Sequence, residues 1–229
     1  MSKKCVVVVV VLVLVSQLFG QGESLNREHD LLLMPTAFTM EKGQSYLTNY
    51  EVAFLNYTYA VTNTTHLALF SLFPVTKDFT ETISIGAKQN LITETKVGVS
   101  VFSAYQFKLN AFIGGIVQSL EFAKNSSLHI AYGLASDFDN GEQESILMIG
   151  VKFERSKRTA FIMEYTVTSL LQDMDEPEDD PLNPDKFITI GWRFRSNRLS
   201  FEVGGIRPLE EIESLLFLPF LKGTVYFGR

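Results

Sequence analysis

From Phe187 to Val203 the chain alternates with a period of two. Ile188, Ile190, Trp192 and Phe194 fall on one side of an extended strand, and Thr189, Gly191, Arg193 and Arg195 on the other. A polar Ser196-Asn197 turn follows, and alternation resumes through Leu199, Phe201 and Val203. Successive side chains of a strand leave opposite faces, so this segment predicts a hairpin with one large apolar face and one small or charged face. The same phrase recurs. Ile83, Ile85 and Ala87 oppose Ser84, Gly86 and Lys88, and Val97, Val99 and Val101 oppose Lys96, Gly98 and Ser100. Leu128 to Leu134, Leu147 to Phe153 and Phe161 to Val167 repeat it, with Gly133, Gly150, Lys152, Glu154 and Glu164 on the opposing side.

Two stretches break the rhythm. Gln44 to Val61 is aromatic in both phases, and Leu109 to Phe122 changes phase near Gly114-Gly115. An extra residue in one strand swaps the faces, so a bulge or bend is expected in each. The connections are short and polar at Thr62–Thr65, Lys124–Ser127, Ser156-Lys157 and Ser196-Asn197, as hairpin turns require. Asp137 to Glu144 is longer, and Gln172 to Lys186 is longest, with three prolines and a block of acids that argue against regular structure. About ten strands are clear, with weaker candidates at Leu32–Thr39 and at the C-terminus. The expected fold is therefore all-β: an antiparallel up-and-down transmembrane β-barrel of about twelve strands, ten being the alternative, since such barrels use an even number.

Ahead of the strands, Lys3 and Lys4 precede an unbroken apolar run from Cys5 to Val15, followed by Gly20 and Gly22. A basic start, a short apolar stretch and small residues predict a signal peptide over residues 1–22, leaving 23–229 as one barrel domain. Cys5 is the only cysteine and lies in that leader, so disulfides and thiolate chemistry are excluded from the mature chain. No second long apolar run is present. Average hydropathy does not argue against a barrel, whose hydrophobicity is hidden by alternation. A net charge of −6 gives none of the basic footprint of nucleic-acid binding.

Alternation is shared by soluble and membrane barrels, so the contents of the faces decide between them. The apolar face holds Trp192, Phe194, Phe153, Tyr165, Phe161 and Tyr132. The other face holds glycines and charges of both signs. Lys88, Lys96, Lys152, Glu154, Glu164, Arg193, Arg195 and Glu202 are the lumen-facing candidates. Large residues toward lipid and small or charged residues toward a crowded lumen is the inverted arrangement of a membrane barrel. Tyr105, Phe107, Phe201 and Phe227 stand where interfacial girdles form. Paired lumen charges would plug the pore, whereas an unpaired basic strip from Arg193, Arg195, Lys88 and Lys96 would favour anions. The alternatives are a secreted soluble β-barrel that binds an apolar ligand and a lipid-modifying barrel enzyme.

At Pro35-Thr36-Ala37, Lys42-Gly43, Tyr46, Asn49 and Tyr50, continued by Asn56, Tyr59, Val61, Thr62 and Asn63, the start of the mature chain resembles small outer-membrane β-barrel proteins of the Bacteroidota type. The specific part covers about 30 residues, the span of a hairpin. Ala60 stands where those proteins commonly have glycine. The ending Tyr226-Phe227-Gly228-Arg229 departs from the terminal aromatic that the barrel-assembly machinery reads in such proteins, Phe227 standing two positions inside. The resemblance implies a location in the cell outer membrane, with outer-membrane lipid and that machinery as partners.

No motif for chemistry stands out. His129 with Ser100 or Ser145 is the one nucleophile–base arrangement to be drawn, without a supporting spacing; hydrogen bonding within the lumen accounts for such a histidine. The acids of the Gln172–Lys186 loop lack the order and the glycine of a calcium loop. The expectation is a protein without catalytic, cofactor or metal residues, either a structural barrel or a narrow pore for small solutes.

Overall fold

The computed structural model describes residues 29–228 apart from 52, 73–80, 95, 140, 142, 169–185, 197 and 210–216. The expected signal peptide and the acidic loop as far as Asp185 lie outside the described residues. Twelve strands follow one another: β1 Ser45–Tyr50, β2 Phe54–Ala60, β3 Thr65–Leu72, β4 Ser84–Thr93, β5 Val97–Gln106, β6 Ala111–Ala123, β7 Ser126–Asp137, β8 Gln143–Ser156, β9 Thr159–Thr168, β10 Lys186–Arg195, β11 Leu199–Pro208 and β12 Leu218–Phe227. Each pairs antiparallel with its sequence neighbours, and β1 pairs with β12, so the sheet closes without an edge. Ser45 faces Tyr59 on one side and Phe227 on the other. Both ends of the sheet therefore sit at one rim, together with the short β2–β3, β4–β5, β6–β7, β8–β9 and β10–β11 connections. The long connections 73–83, 169–185 and 209–217 all leave the opposite rim. These are called the turn side and the loop side below.

The alternating hairpin is built as its pattern demands. Trp192 opposes Val203 and Phe194 opposes Phe201, all exposed on the outside, while Arg193 opposes Glu202 and both are buried within. Trp192 is 38% exposed and its neighbour Arg193 0%. Leu47, Leu67, Ile85, Val101, Ile116, Leu134, Met163 and Val225 extend the exposed apolar belt around the barrel. Phe122, Phe153, Phe194, Phe201 and Phe227 ring its turn side. Phe107, Phe112, Phe138 and Phe217 ring the loop side, with Tyr105 edge-on to Phe107.

Three expectations need correction. The doubled aromatic pattern in Gln44–Val61 is a hairpin, not a bulge. β1 and β2 are separated by a tight turn with Glu51 at φ 51°, which lets Tyr46 and Tyr50 face inward and Tyr57 and Tyr59 outward. The phase change near Gly114-Gly115 is not a backbone event either. β6 keeps an unbroken register with β5 from Ala111 to Leu120. Phe112 and Ile116 face out while Ile113 and Val117 face in, so both faces are apolar there. The register shifts lie instead at Asn90/Ile92, Glu121/Ala123 and Glu154/Ser156, each beside a turn-side connection. Finally, Leu32–Thr39 is no strand of the sheet but a segment inside it.

Glycines let the wall pack closely in places. Gly204 faces Gly191, and a Cβ on Gly204 would strike the Ile190 carbonyl and lie 2.7 Å from Gly191 Cα. Backbone cannot yield as a side chain can. Gly204→Ala is therefore expected to lower stability by about 1–3 kcal/mol in denaturant unfolding. Gly223→Ala is the control, since a Cβ there meets nothing within 4 Å.

Candidate functional site

The centre of the barrel is filled by its own N-terminal segment. Asp30 and Pro35 form an isolated antiparallel bridge, Leu31 N–H donates to the Met34 carbonyl (2.8 Å) and Thr36 N–H to the His29 carbonyl (3.1 Å). The chain thus enters the lumen, reverses at Leu31–Met34 and returns toward β1. A sheet has no free backbone partners to offer such a hairpin, and buried N–H and C=O groups must still be satisfied. The lumen side chains supply what the sheet cannot.

Glu164, 1% exposed, closes the tip. Its carboxylate accepts from the N–H groups of Leu32 (2.7 Å), Leu33 (3.0 Å) and Met34 (3.2 Å). Three convergent N–H dipoles make a natural anion nest, here filled by a wall carboxylate. Cations take the carbonyls. Lys222 donates to Leu31 O (2.6 Å), Leu32 O (3.1 Å) and the Asp30 carboxylate (2.6 Å). Arg193 donates to Asp30 O (3.1 Å) and Leu31 O (2.7 Å), and its Nε reaches Glu202 at 2.6 Å. Lys88 gathers the carbonyls of His29, Thr36 and Phe38 at 3.1, 3.1 and 2.7 Å, drawing the two arms of the hairpin together.

Neutral groups hold the returning arm. Ser119 Oγ accepts from Ala37 N–H (2.8 Å), while Asn90 and Ser100 both donate to Ala37 O (2.6 Å each). His66 Nε2 accepts from Met40 N–H at 2.8 Å, so its proton resides on Nδ1. His29 stacks on Tyr46 with ring centroids 3.9 Å apart. Apolar contacts complete the seat: Leu31, Leu32, Met34 and Ala37 pack in one buried cluster with Val117, Ala131, Ile162 and Phe220. Gly150 and Gly191 make room for it. A Cβ on Gly150 would strike Leu31 and lie 3.1 Å from Met34 Sδ, and one on Gly191 would lie 3.1 Å from Leu32.

Of the residues singled out in the sequence, Lys88, Glu164, Arg193 and Glu202 meet at this hairpin or at its partners. Lys152, Glu154 and Arg195 form a separate cluster toward the turn side: Lys152 lies 3.0 Å from Glu154, which also pairs with Arg195. Lys96 lies in the bend before β5, outside both groups. Of the four residues that an unpaired basic strip would need, Arg193 and Arg195 pair with Glu202 and Glu154 and Lys88 holds the hairpin's carbonyls, while Lys96 lies outside both groups. Asp30, Asn90, Ser119 and Lys222 belong to the site although the pattern did not mark them. Lys222 was detectable, as the one charge between Leu221 and Gly223 in an alternating C-terminal strand. His129 does not meet Ser100 or Ser145. Its ring nitrogens lie 2.7 Å from Ser119 Oγ and 2.8 Å from Ser127 Oγ, in a buried chain that ends on Ala37 N–H.

No protein-family model matches the chain, and no curated protein is similar to it in sequence. Solved structures are similar in shape. NanC porin superposes with a TM-score of 0.51 at 7% identity, over 80% of this chain and 97% of that one. A variant of Rh. blastica porin reaches 0.41 at 9% identity, over 76% and 55%. The Pseudomonas putida toluene transporter TodX reaches 0.34 at 12%, over 76% and 47%. The likeness to NanC porin is one of fold: a closed, all-β antiparallel barrel, here of twelve strands with a chain segment in its lumen.

Proposed function

We propose that the protein is an outer-membrane barrel of pore type, whose narrow passage for small solutes is closed by residues 29–40. The observation that carries this reading is the inversion of burial across one residue step. Trp192, Phe194 and Val203 are exposed, whereas Arg193 and Glu202 between them are fully buried. Water-soluble barrels bury the large apolar set. A belt of that set with aromatic residues at both rims suits hydrocarbon flanked by headgroups. Closure of β1 on β12 suits it equally, because a sheet in hydrocarbon has no water to satisfy an edge. The chemistry of the lumen supports a closed state: ion pairs and backbone hydrogen bonds occupy the charges that would otherwise attract ions.

Trp192 is the only tryptophan, which makes the test direct. In proteoliposomes containing brominated lipid its fluorescence is expected to be strongly quenched, and unheated samples are expected to migrate faster than boiled ones on gels. Unquenched emission together with recovery in the soluble periplasmic fraction overturns the reading. In planar bilayers the wild-type chain is expected to be silent, and to conduct once the lumen hairpin is loosened.

A further inference from the structure

The two rims of the barrel differ in charge. The turn-side connections β6–β7, β8–β9 and β10–β11 are neighbours around one rim, because the strands pair in sequence order. Together with the strand ends beside them they carry Lys124, Arg155, Lys157, Arg158 and Arg198. All five are exposed, and among the described residues none has an ion-pair partner. No acid stands between them: they share these turns with Asn125, Ser156, Ser196 and Asn197. The nearest acids lie deeper in the wall, where Glu154 is taken by Lys152 and Arg195 and Glu121 is half-buried on β6. The rest of the turn-side rim mixes its signs, with Glu41 beside Lys42 and Glu94 near Lys96. At the other end of the same wall the sign reverses, and Asp137, Asp139 and Glu144 surround the loop-side β7–β8 connection.

The cations stand just beyond the aromatic ring of the turn side. Lys124 closely follows Phe122, Arg155 closely follows Phe153, and Arg198 lies between Phe194 and Phe201. Such rings mark the boundary between hydrocarbon and headgroups, which puts the cations at the depth of the phosphates. Neighbouring strands lie about 4.8 Å apart, so consecutive turns are on the order of 10 Å apart and the arc is on the order of 20 Å long. Like charges gathered on one arc repel one another until anions sit among them.

We infer that this arc is a binding surface for anionic glycerophospholipid headgroups in the leaflet on the turn side. Charge complementarity selects an anionic lipid, and the acidic loop rim of the same wall repels it, so the preference is confined to one leaflet. The turns select a plain phosphodiester over a phosphorylated saccharide. Residues 124–125, 157–158 and 196–198 are all that join these strands, and they leave no protein beyond the cations to hydrogen-bond a sugar. The inference rests on the reading of the chain as a membrane barrel.

Trp192 lies on β10, within the arc, and serves as a local reporter. The mature chain is reconstituted in phosphatidylcholine bilayers containing a small fraction of brominated phosphatidylglycerol, or the same fraction of brominated phosphatidylcholine. Brominated phosphatidylglycerol is expected to quench Trp192 as though enriched beside it about threefold to fivefold, since one cation near an anionic surface is worth about a factor of five. The excess is expected to vanish in salt of roughly 1 M, where the screening length falls to about 3 Å. Changing Lys124, Arg155, Lys157, Arg158 and Arg198 together to glutamine is expected to abolish the excess and to keep heat-modifiable gel mobility. Should that variant fail to fold, Arg155→Gln with Lys157→Gln and Arg158→Gln decides, with the excess expected to fall by at least half. Unbrominated lipid A, added as a competitor at equal phosphate content, is expected to restore less fluorescence than unbrominated phosphatidylglycerol. Equal quenching by the two brominated lipids, an excess that survives salt or a folded variant, or stronger competition by lipid A overturns the surface. Equal quenching leaves the membrane-barrel reading standing, whereas no quenching by either lipid overturns that reading instead.

Discussion

Glu164→Leu is expected to free the lumen hairpin. The substitution keeps a comparable side-chain volume but removes the acceptor of three buried N–H groups, those of Leu32, Leu33 and Met34. Each unsatisfied buried donor costs about 1–3 kcal/mol, so even the lower figure sums to about 3 kcal/mol, a factor of roughly 10² in the docked population. The amides of these residues are expected to exchange with deuterium faster by that factor, while those of β6 to β8 keep their protection. In planar bilayers the variant is expected to conduct where the wild type is silent. Glu164→Gln separates charge from acceptor: its carboxamide oxygen still takes one or two of the N–H groups, so an intermediate effect is expected. Unchanged exchange in Glu164→Leu would show that the apolar seat around Leu31, Leu32 and Met34 holds the tip by itself.

The second large effect is expected outside the barrel. Val203 lies midway along β11, exposed in the apolar belt beside Trp192. On the membrane-barrel reading proposed above, Val203→Arg places a cation in hydrocarbon, at a cost of about 2–4 kcal/mol near the bilayer midplane. Reversible unfolding of the reconstituted protein is expected to show that loss, and the same substitution in a soluble barrel would be close to neutral. One position away, Glu202→Ala acts by a different route. It removes the carboxylate that lies 2.6 Å from Arg193 Nε, while Arg193 Nη2 keeps the Asp30 carboxylate at 3.7 Å. Its expected signature is loosening of the hairpin rather than failure of insertion, read by amide exchange at Leu31 and Leu32.

Alternation carried the architecture because the two-residue period records which face each side chain takes, and closure left every strand with two distinct faces. Trp192 could therefore be assigned outward, and Arg193, Lys88 and Glu164 inward, from the sequence. The pattern misled where the inner face is itself apolar. At Ile113 and Val117 hydrophobicity no longer separates in from out, and the mixed phase resembled a bulge. At Tyr46 and Tyr50 the same ambiguity concealed a hairpin turn. The lumen segment was harder still. Leu-Leu-Leu-Met-Pro has the composition of a strand or a buried loop, and its distinction is that its partners are side chains more than 100 residues away. Nothing local in sequence encodes a carboxylate at Glu164 meeting N–H groups at Leu32 and Leu33. The charges were visible as lumen candidates; their partners, backbone amides and carbonyls, carry no residue-type signal at all.

The placement of the hairpin bears on the order of assembly. Residues 29–40 precede the first strand, yet Asp30 is held by Lys222 of the last, 192 positions away. Contacts so distant in sequence form late, since a long loop must close before they return any energy. The seam between β1 and β12 joins those same extremes of the chain. Zipping the seam and seating the hairpin are therefore two halves of one terminal step. A sheet that curls before its N-terminal arm is inside would enclose Arg193, Lys222 and Glu164 without the hairpin groups they bind, and that penalty favours a cylinder that closes around its own arm.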